Sequence, residues 1–256
     1  MVPPSLPLGA RIPARGVFED DWSARPTAQR PWPVILIHGT CDTKGIWQEL
    51  ASRLRADGWA VFAPDYGQRA TGPIPESARQ LGAYIEAVLQ VTGAQQVILV
   101  GHSQGGLLAR YWMRRYQTAE KVRHVVCLSA PNHGTTEGGI TNQLMRNERQ
   151  EGVMRSLIDA WFGPAGRQQI AGSDIIAATN GTAPGTEVEP GVTYTCIATR
   201  SDIVVVPPSS CFLEGEGVRN FYVQDTDRWA IVRHENMPLD KRVCALVRED
   251  LADLEV

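Results

Sequence analysis

No apolar run in the 256 residues approaches the roughly 20 needed to cross a bilayer, so no transmembrane segment is expected. A basic surplus is missing too. The 25 Lys and Arg face 28 Asp and Glu, giving a formal net charge of −3, which offers nothing to a nucleic-acid partner. The five cysteines (Cys41, Cys127, Cys196, Cys211 and Cys244) are scattered and odd in number. They form no CxxC pair or Cys/His cluster, so neither a metal nor another cofactor is expected. Cys127 and Cys196 lie inside apolar runs and read as small buried hydrophobes, whereas Cys41 and Cys211 are compatible with a pair or with two free thiols. The opening Met1-Val2-Pro3-Pro4 has no basic n-region and no continuous apolar stretch of the secretory kind. As it stands the sequence therefore predicts a cytoplasmic protein, with a secreted mature form as the alternative. No internal repeat is present.

What the chain does have is ordinary globular material, 43% hydrophobic and 21% charged, enough for one two-sided core. Residues 1–30, rich in Pro, Arg and Ala, read as an irregular wrap. Pro33 to Ile37 is a β-branched run suited to a buried parallel strand, ending in His38-Gly39-Thr40. Ile46, Trp47, Leu50, Ala51 and Leu54 then recur at helical spacing, and a short strand covers Ala60 to Ala63. Leu81, Ile85, Val88 and Leu89 mark a second helix, followed by a strand over Gln96 to Val100. A helix carries Leu107, Leu108, Tyr111 and Trp112, and further strands span Val122 to Leu128, Val192 to Ala198 and Val218 to Val223. A last helix bears Val243, Leu246, Val247 and Leu251. This alternation predicts an α/β fold, a mostly parallel sheet with helices on both faces, in a single domain over 1–256.

The rhythm breaks between about residues 136 and 190. A helix is expected around Met145 to Phe162, with a Gly/Thr/Pro-rich exit. A lid over a functional site and an ordinary helical excursion both fit a segment of this length. Its Leu144, Met145, Met154, Leu157, Ile158, Trp161 and Phe162 are candidates for an apolar mouth, as Val204 to Pro208 are for a pocket wall.

Gly101-His102-Ser103-Gln104-Gly105 is the most informative segment. Ile98-Leu99-Val100 enters as a strand and Gly106 to Arg110 leaves as a helix, the setting in which a G-x-S-x-G turn lifts a nucleophilic serine above a sheet. Gly101 and Gly105 suit the crowding of so sharp a turn. A nucleophile of this kind needs two N–H donors for an oxyanion. The residue after it, Gln104, supplies one; the turn at His38-Gly39-Thr40 offers the second through Thr40.

The acid and base follow from chain order, Ser then Asp or Glu then His. Of five histidines, His38 and His102 belong to the two turns, His124 sits in a strand, and His133 precedes any plausible acid. His234 remains as the base, in the loop before the last helix. Asp202 follows a strand end and is preferred as the acid over Asp225 and Asp227, which read as solvated turn residues.

Together these segments resemble the lipase/esterase branch of the α/β-hydrolases, especially the bacterial class 2 lipases, from about Pro33 to Leu251. Ala130-Pro131-Asn132-His133-Gly134-Thr135 and Thr199-Arg200-Ser201-Asp202 point to lipases in particular. The resemblance implies an α/β-hydrolase fold, a triad of Ser103, Asp202 and His234, an oxyanion hole at Thr40 and Gln104, and an ester or lipid substrate. The chain departs from the pattern after the histidine, where Glu235-Asn236-Met237-Pro238 replaces a short aliphatic stretch. Amide, thioester or polyester substrates on the same fold are the alternative, and a non-catalytic binding protein is a further one.

Overall fold

Side chains that alternate between two cores fix the sheet first. The computed structural model describes residues 6–136, 148–181, 183 and 185–255, without the side chains of 148–155 and 157. In β1 (Val34–Ile37) every residue is buried. Ile35 and Ile37 enter one hydrophobic cluster, while Val34 and Leu36 enter the other. Burial on both faces is why this strand reads as a continuous apolar run rather than an alternating one.

Among the described residues six strands lie in the order β2-β1-β3-β4-β5-β6, and every pairing is parallel. They are β1, β2 (Val61–Phe62), β3 (Val97–His102), β4 (Val122–Leu128), β5 (Thr193–Ala198) and β6 (Val218–Tyr222). Among the described residues, six α-helices of seven residues or more accompany them: α1 (Gln48–Ala56), α2 (Ile74–Thr92), α3 (Gln104–Tyr116), α4 (Glu148–Gln168), α5 (Asp174–Asn180) and α6 (Lys241–Ala252). Leu81, Ile85 and Val88 of α2 and Leu107, Leu108 and Trp112 of α3 pack on one face of the sheet. On the other lie Leu50 and Leu54 of α1 with Val243, Val247 and Leu251 of α6. The expected layered α/β architecture is thus present.

Strand order also locates a crevice. From β1 the chain moves outward to β2, then returns past β1 to β3 and continues the other way to β4. The loops leaving β1 and β3 therefore diverge at neighbouring strand ends, the switch point at which open α/β sheets bind ligands.

Between β4 and β5 the expected helix is longer at its end than the sequence suggested. Pro164 does not stop α4, because Gly163 (φ 63°, ψ −164°) takes up a kink and the helix resumes to Gln168. Helix α5 was not foreseen in the polar exit. Ser173 caps it by accepting from Ile176 N–H, and Ile175, Ile176 and Thr179 supply a buried side. Leu144 and Met145 fall outside the described residues.

From residue 6 on, the N-terminal segment is irregular apart from a 3-10 turn at Gly9–Arg11 and an isolated bridge between Thr27 and Arg30. Asp20 fastens it to the domain. Its carboxylate accepts from Ala63 N–H at 2.9 Å and Tyr84 O–H at 2.6 Å, and pairs with Lys44 at 3.0 Å.

His124, within β4, has a structural task. Its Nε2 meets Asp250 Oδ2 of α6 at 3.0 Å and its Nδ1 meets Thr193 Oγ1 at 2.7 Å. Thr195 O–H donates to the second carboxylate oxygen at 2.7 Å. With Asp250 only 6% exposed, these bonds bolt the last helix to the sheet. All five cysteines are free, including Cys41 and Cys211. Among the described residues no helix is long and apolar enough to cross a membrane.

Leaving a buried donor without its acceptor costs about 1–3 kcal/mol, and Asp250 accepts from both His124 and Thr195. Asp250→Ala should lower stability by about that much in urea titrations. A loss below about 1 kcal/mol would show that α6 is held by its apolar face alone.

Candidate active site

Ser103 sits between the end of β3 and the start of α3 with φ 51° and ψ −127°. A non-glycine residue held there costs on the order of 1–3 kcal/mol. The turn leaves no space beside it. A Cβ on Gly101 would lie 2.3 Å from Gly106 N, and one on Gly105 would lie 2.2 Å from the Ile37 carbonyl oxygen. Ser103 N–H donates to the Leu128 carbonyl of β4 at 2.9 Å, so the strained turn is tied to the neighbouring strand.

His234 begins a 3-10 turn, His234–Asn236, in the loop between β6 and α6. Its Nε2 lies 2.9 Å from Ser103 Oγ, and its Nδ1 lies 2.8 Å from Asp202 Oδ2. The structure brings the three expected residues into one hydrogen-bonded chain, each 6–8% exposed. Asp202 is fixed from its other side: Oδ1 accepts from Val204 N–H and Val205 N–H, both at 2.9 Å. Asp225 and Asp227 are elsewhere, paired with Arg200 and Arg242.

Desolvation works against the Asp202 charge, but the His234 hydrogen bond and charge together with the two amides outweigh it. The net effect holds the carboxyl below its ordinary value.

Thr40 and Gln104 also meet. Thr40 O–H donates to Gln104 Oε1 at 2.7 Å. Gln104 is the first residue of α3, so its amide is one of the N–H groups a helix leaves without an internal partner. No local pattern pointed to Gln169, which follows α4 and donates through Nε2 to Thr40 Oγ1 at 3.0 Å and to the Ala165 carbonyl at 3.1 Å. It is a side-chain contact across 129 positions, without any local motif. Arg15, from the N-terminal wrap, was missed for the same reason; it pairs with Asp42 at 2.9 Å.

These groups border a cavity of about 230 Å³. Thr40, Ser103 and His234 form one wall, Arg15, Asp42 and Glu235 add charge, and Pro131, Phe162, Val204 and Val205 are apolar. Of the residues considered for the mouth Phe162 lines it, and of the expected pocket wall Val204 and Val205 do. Ile158 is buried at 3%, Trp161 is 42% exposed, and Met154 and Leu157 lie outside the described side chains. Among the described residues no group of three or more metal-ligating side chains comes together.

Residues 33–164, just over half of the chain, match the family model described as alpha/beta hydrolase fold. A triacylglycerol lipase of Pseudarthrobacter phenanthrenivorans is 30% identical over 143 residues, 53% of this chain and 44% of that protein. The corresponding figures for a triacylglycerol lipase of Burkholderia plantarii are 30% over 143 residues, 53% and 39%. The matched stretch thus spans less than half the length of either relative. Among solved structures, Aspergillus fumigatus lipase B superposes with a TM-score of 0.71 at 20% identity, covering 93% of this chain and 55% of that one. Mature Bacillus licheniformis lipase BlEst2 gives 0.62 at 14%, covering 90% and 95%. At these identities the two structures speak for the fold.

Because the folded-state value of Asp202 lies below the unfolded one of about 3.9, its ionised form adds stability at neutral pH. That contribution fades as pH falls below about 4, through the lowered folded-state value. Asp202→Asn should therefore be less stable than wild type at neutral pH, with the gap closing in acid. A gap unchanged between neutral pH and about pH 2 would contradict the assignment.

Proposed function

The chain belongs to the alpha/beta hydrolase fold family, and from that premise we propose that it hydrolyses carboxylic esters through an acyl-enzyme formed on Ser103. The observation that carries the reading is the chain from Ser103 Oγ to His234 to Asp202, at 2.9 and 2.8 Å, on a strained turn at the sheet's switch point. The lipase names of the sequence relatives support the ester class.

In this reading His234 Nε2 takes the Ser103 proton as Oγ bonds to the ester carbonyl carbon. Asp202 holds the imidazole with its proton on Nδ1 and stabilises the imidazolium that results. The negative oxygen of the tetrahedral intermediate is held by the main-chain N–H groups of Thr40 and Gln104, whose donors cost no reorganisation in a dry site. His234 then protonates the departing alcohol. Water enters, gives its proton to His234, and attacks the acyl carbon; collapse returns the proton to Ser103 Oγ and frees the acid.

Pro131, Phe162, Val204 and Val205 receive the apolar portion of the ester. Helix α4 and the residue after it serve as part of a cover on a single-domain fold, contributing Phe162, Gly166 and Gln169 to the cavity.

Ser103→Ala should remain folded and lose at least roughly 10⁴-fold in kcat on p-nitrophenyl butyrate, the scale of loss when a triad nucleophile is removed. Turnover within about tenfold of wild type would sink this reading.

A further inference from the structure

His102 precedes the nucleophile, ends β3 and is 3% exposed. Its ring lies 4.9 Å from that of His234, tilted by 45°. His102 Nε2 is 2.9 Å from the main-chain oxygen of His234. A carbonyl oxygen only accepts, so the His102 proton in this bond is on Nε2. Nδ1 is then a lone-pair nitrogen; it has no hydrogen-bond partner among the described residues and faces Gly39, where an added Cβ would lie 3.2 Å away. Burial, reinforced by the neighbouring His234, holds the His102 imidazole well below its usual value, so it remains neutral.

Two consecutive residues of one turn therefore hold two ends of the same residue. Ser103 Oγ meets the His234 side chain, while His102 meets its main chain. The remaining contact to that carbonyl within its own loop is the longer one from Met237 N–H, at 3.2 Å. A base delivered by a loop 131 positions from the nucleophile is fixed in translation by the main-chain bond, and in rotation by Asp202. Because His102 is neutral, it supplies this anchor without opposing the positive charge that His234 acquires.

We propose that His102 is a positioning residue for the base, its Nε2–H anchoring the main chain of His234 so that the imidazole stays within reach of Ser103. This rests on the ester-hydrolase reading above. His102 borders the cavity but is only 3% exposed, so replacing it alters little of the wall that substrate meets, and the anchor acts mainly on the reaction step. Displacing a reacting group by about 1 Å costs on the order of 100-fold in rate.

The test compares His102→Leu, which fills the site without a donor, with His102→Gln, whose amide reaches as far as Nε2. Rates on p-nitrophenyl acetate and thermal midpoints are measured for both. His102→Leu should lower kcat roughly 10- to 100-fold with KM within about twofold of wild type, and His102→Gln should recover kcat to within about fivefold. If the leucine variant does not fold, His102→Asn, polar but too short to reach, takes its place and should be as slow. Overturning results are a wild-type kcat in the donorless variant, a change confined to KM, or a folded glutamine variant as slow as the donorless one. A wild-type protein inert on every ester would instead remove the hydrolase reading itself.

Discussion

The turn at Ser103 is the constraint around which the rest is arranged. Its backbone lies in a region that a serine rarely occupies, and nothing within the pentapeptide favours that conformation. The cost is offset from outside. Leu128 of β4 accepts its N–H, and Gly105 packs against the Ile37 carbonyl of β1 with no room for a side chain. Both depend on β1 and β4 flanking β3, and hence on the fully buried parallel sheet. Strain of a few kcal/mol is sustained only where the surrounding structure over-determines it, and two hydrophobic clusters on opposite faces provide that.

A second dependence runs through buried polar groups. Asp202 keeps its charge because His234 and two amides surround it. Thr40 is bonded both to Gln104 and to Gln169, which joins the loop after β1, the turn after β3 and the segment after α4. Each bond satisfies a group whose burial would otherwise be unfavourable. The site is held by elements spread from residue 40 to residue 234, and no single local segment could form it alone.

Sequence legibility follows from the same division. Ser103 was readable because strand, glycines and helix are adjacent in the chain. His234 and Asp202 were readable from their place after strands, once a serine had fixed the order in which to look. The sheet's parallel character followed from runs such as Val34 to Ile37, which no half-exposed strand would carry. By contrast, the bonds from Gln169 to Thr40, from Arg15 to Asp42, from His102 to His234 and from His124 to Asp250 leave no local trace, because each spans more than 25 residues. Helix α5 was hidden because, at seven residues, it is too short to show a helical period inside a Gly/Thr/Pro-rich stretch. The kink at Gly163 carried α4 past Phe162, where the helix was expected to end, since a glycine at positive φ takes up the bend before Pro164.

The central claim is that Ser103 is a nucleophile activated by His234, and covalent trapping tests it without assuming any substrate. A fluorophosphonate transfers its phosphonyl group to an activated serine and releases fluoride. Intact mass followed by peptide mapping should find one adduct per chain, on the peptide containing Ser103 and absent from its alanine variant. An unmodified folded protein, or an adduct on another residue that persists when Ser103 is replaced, would contradict the account.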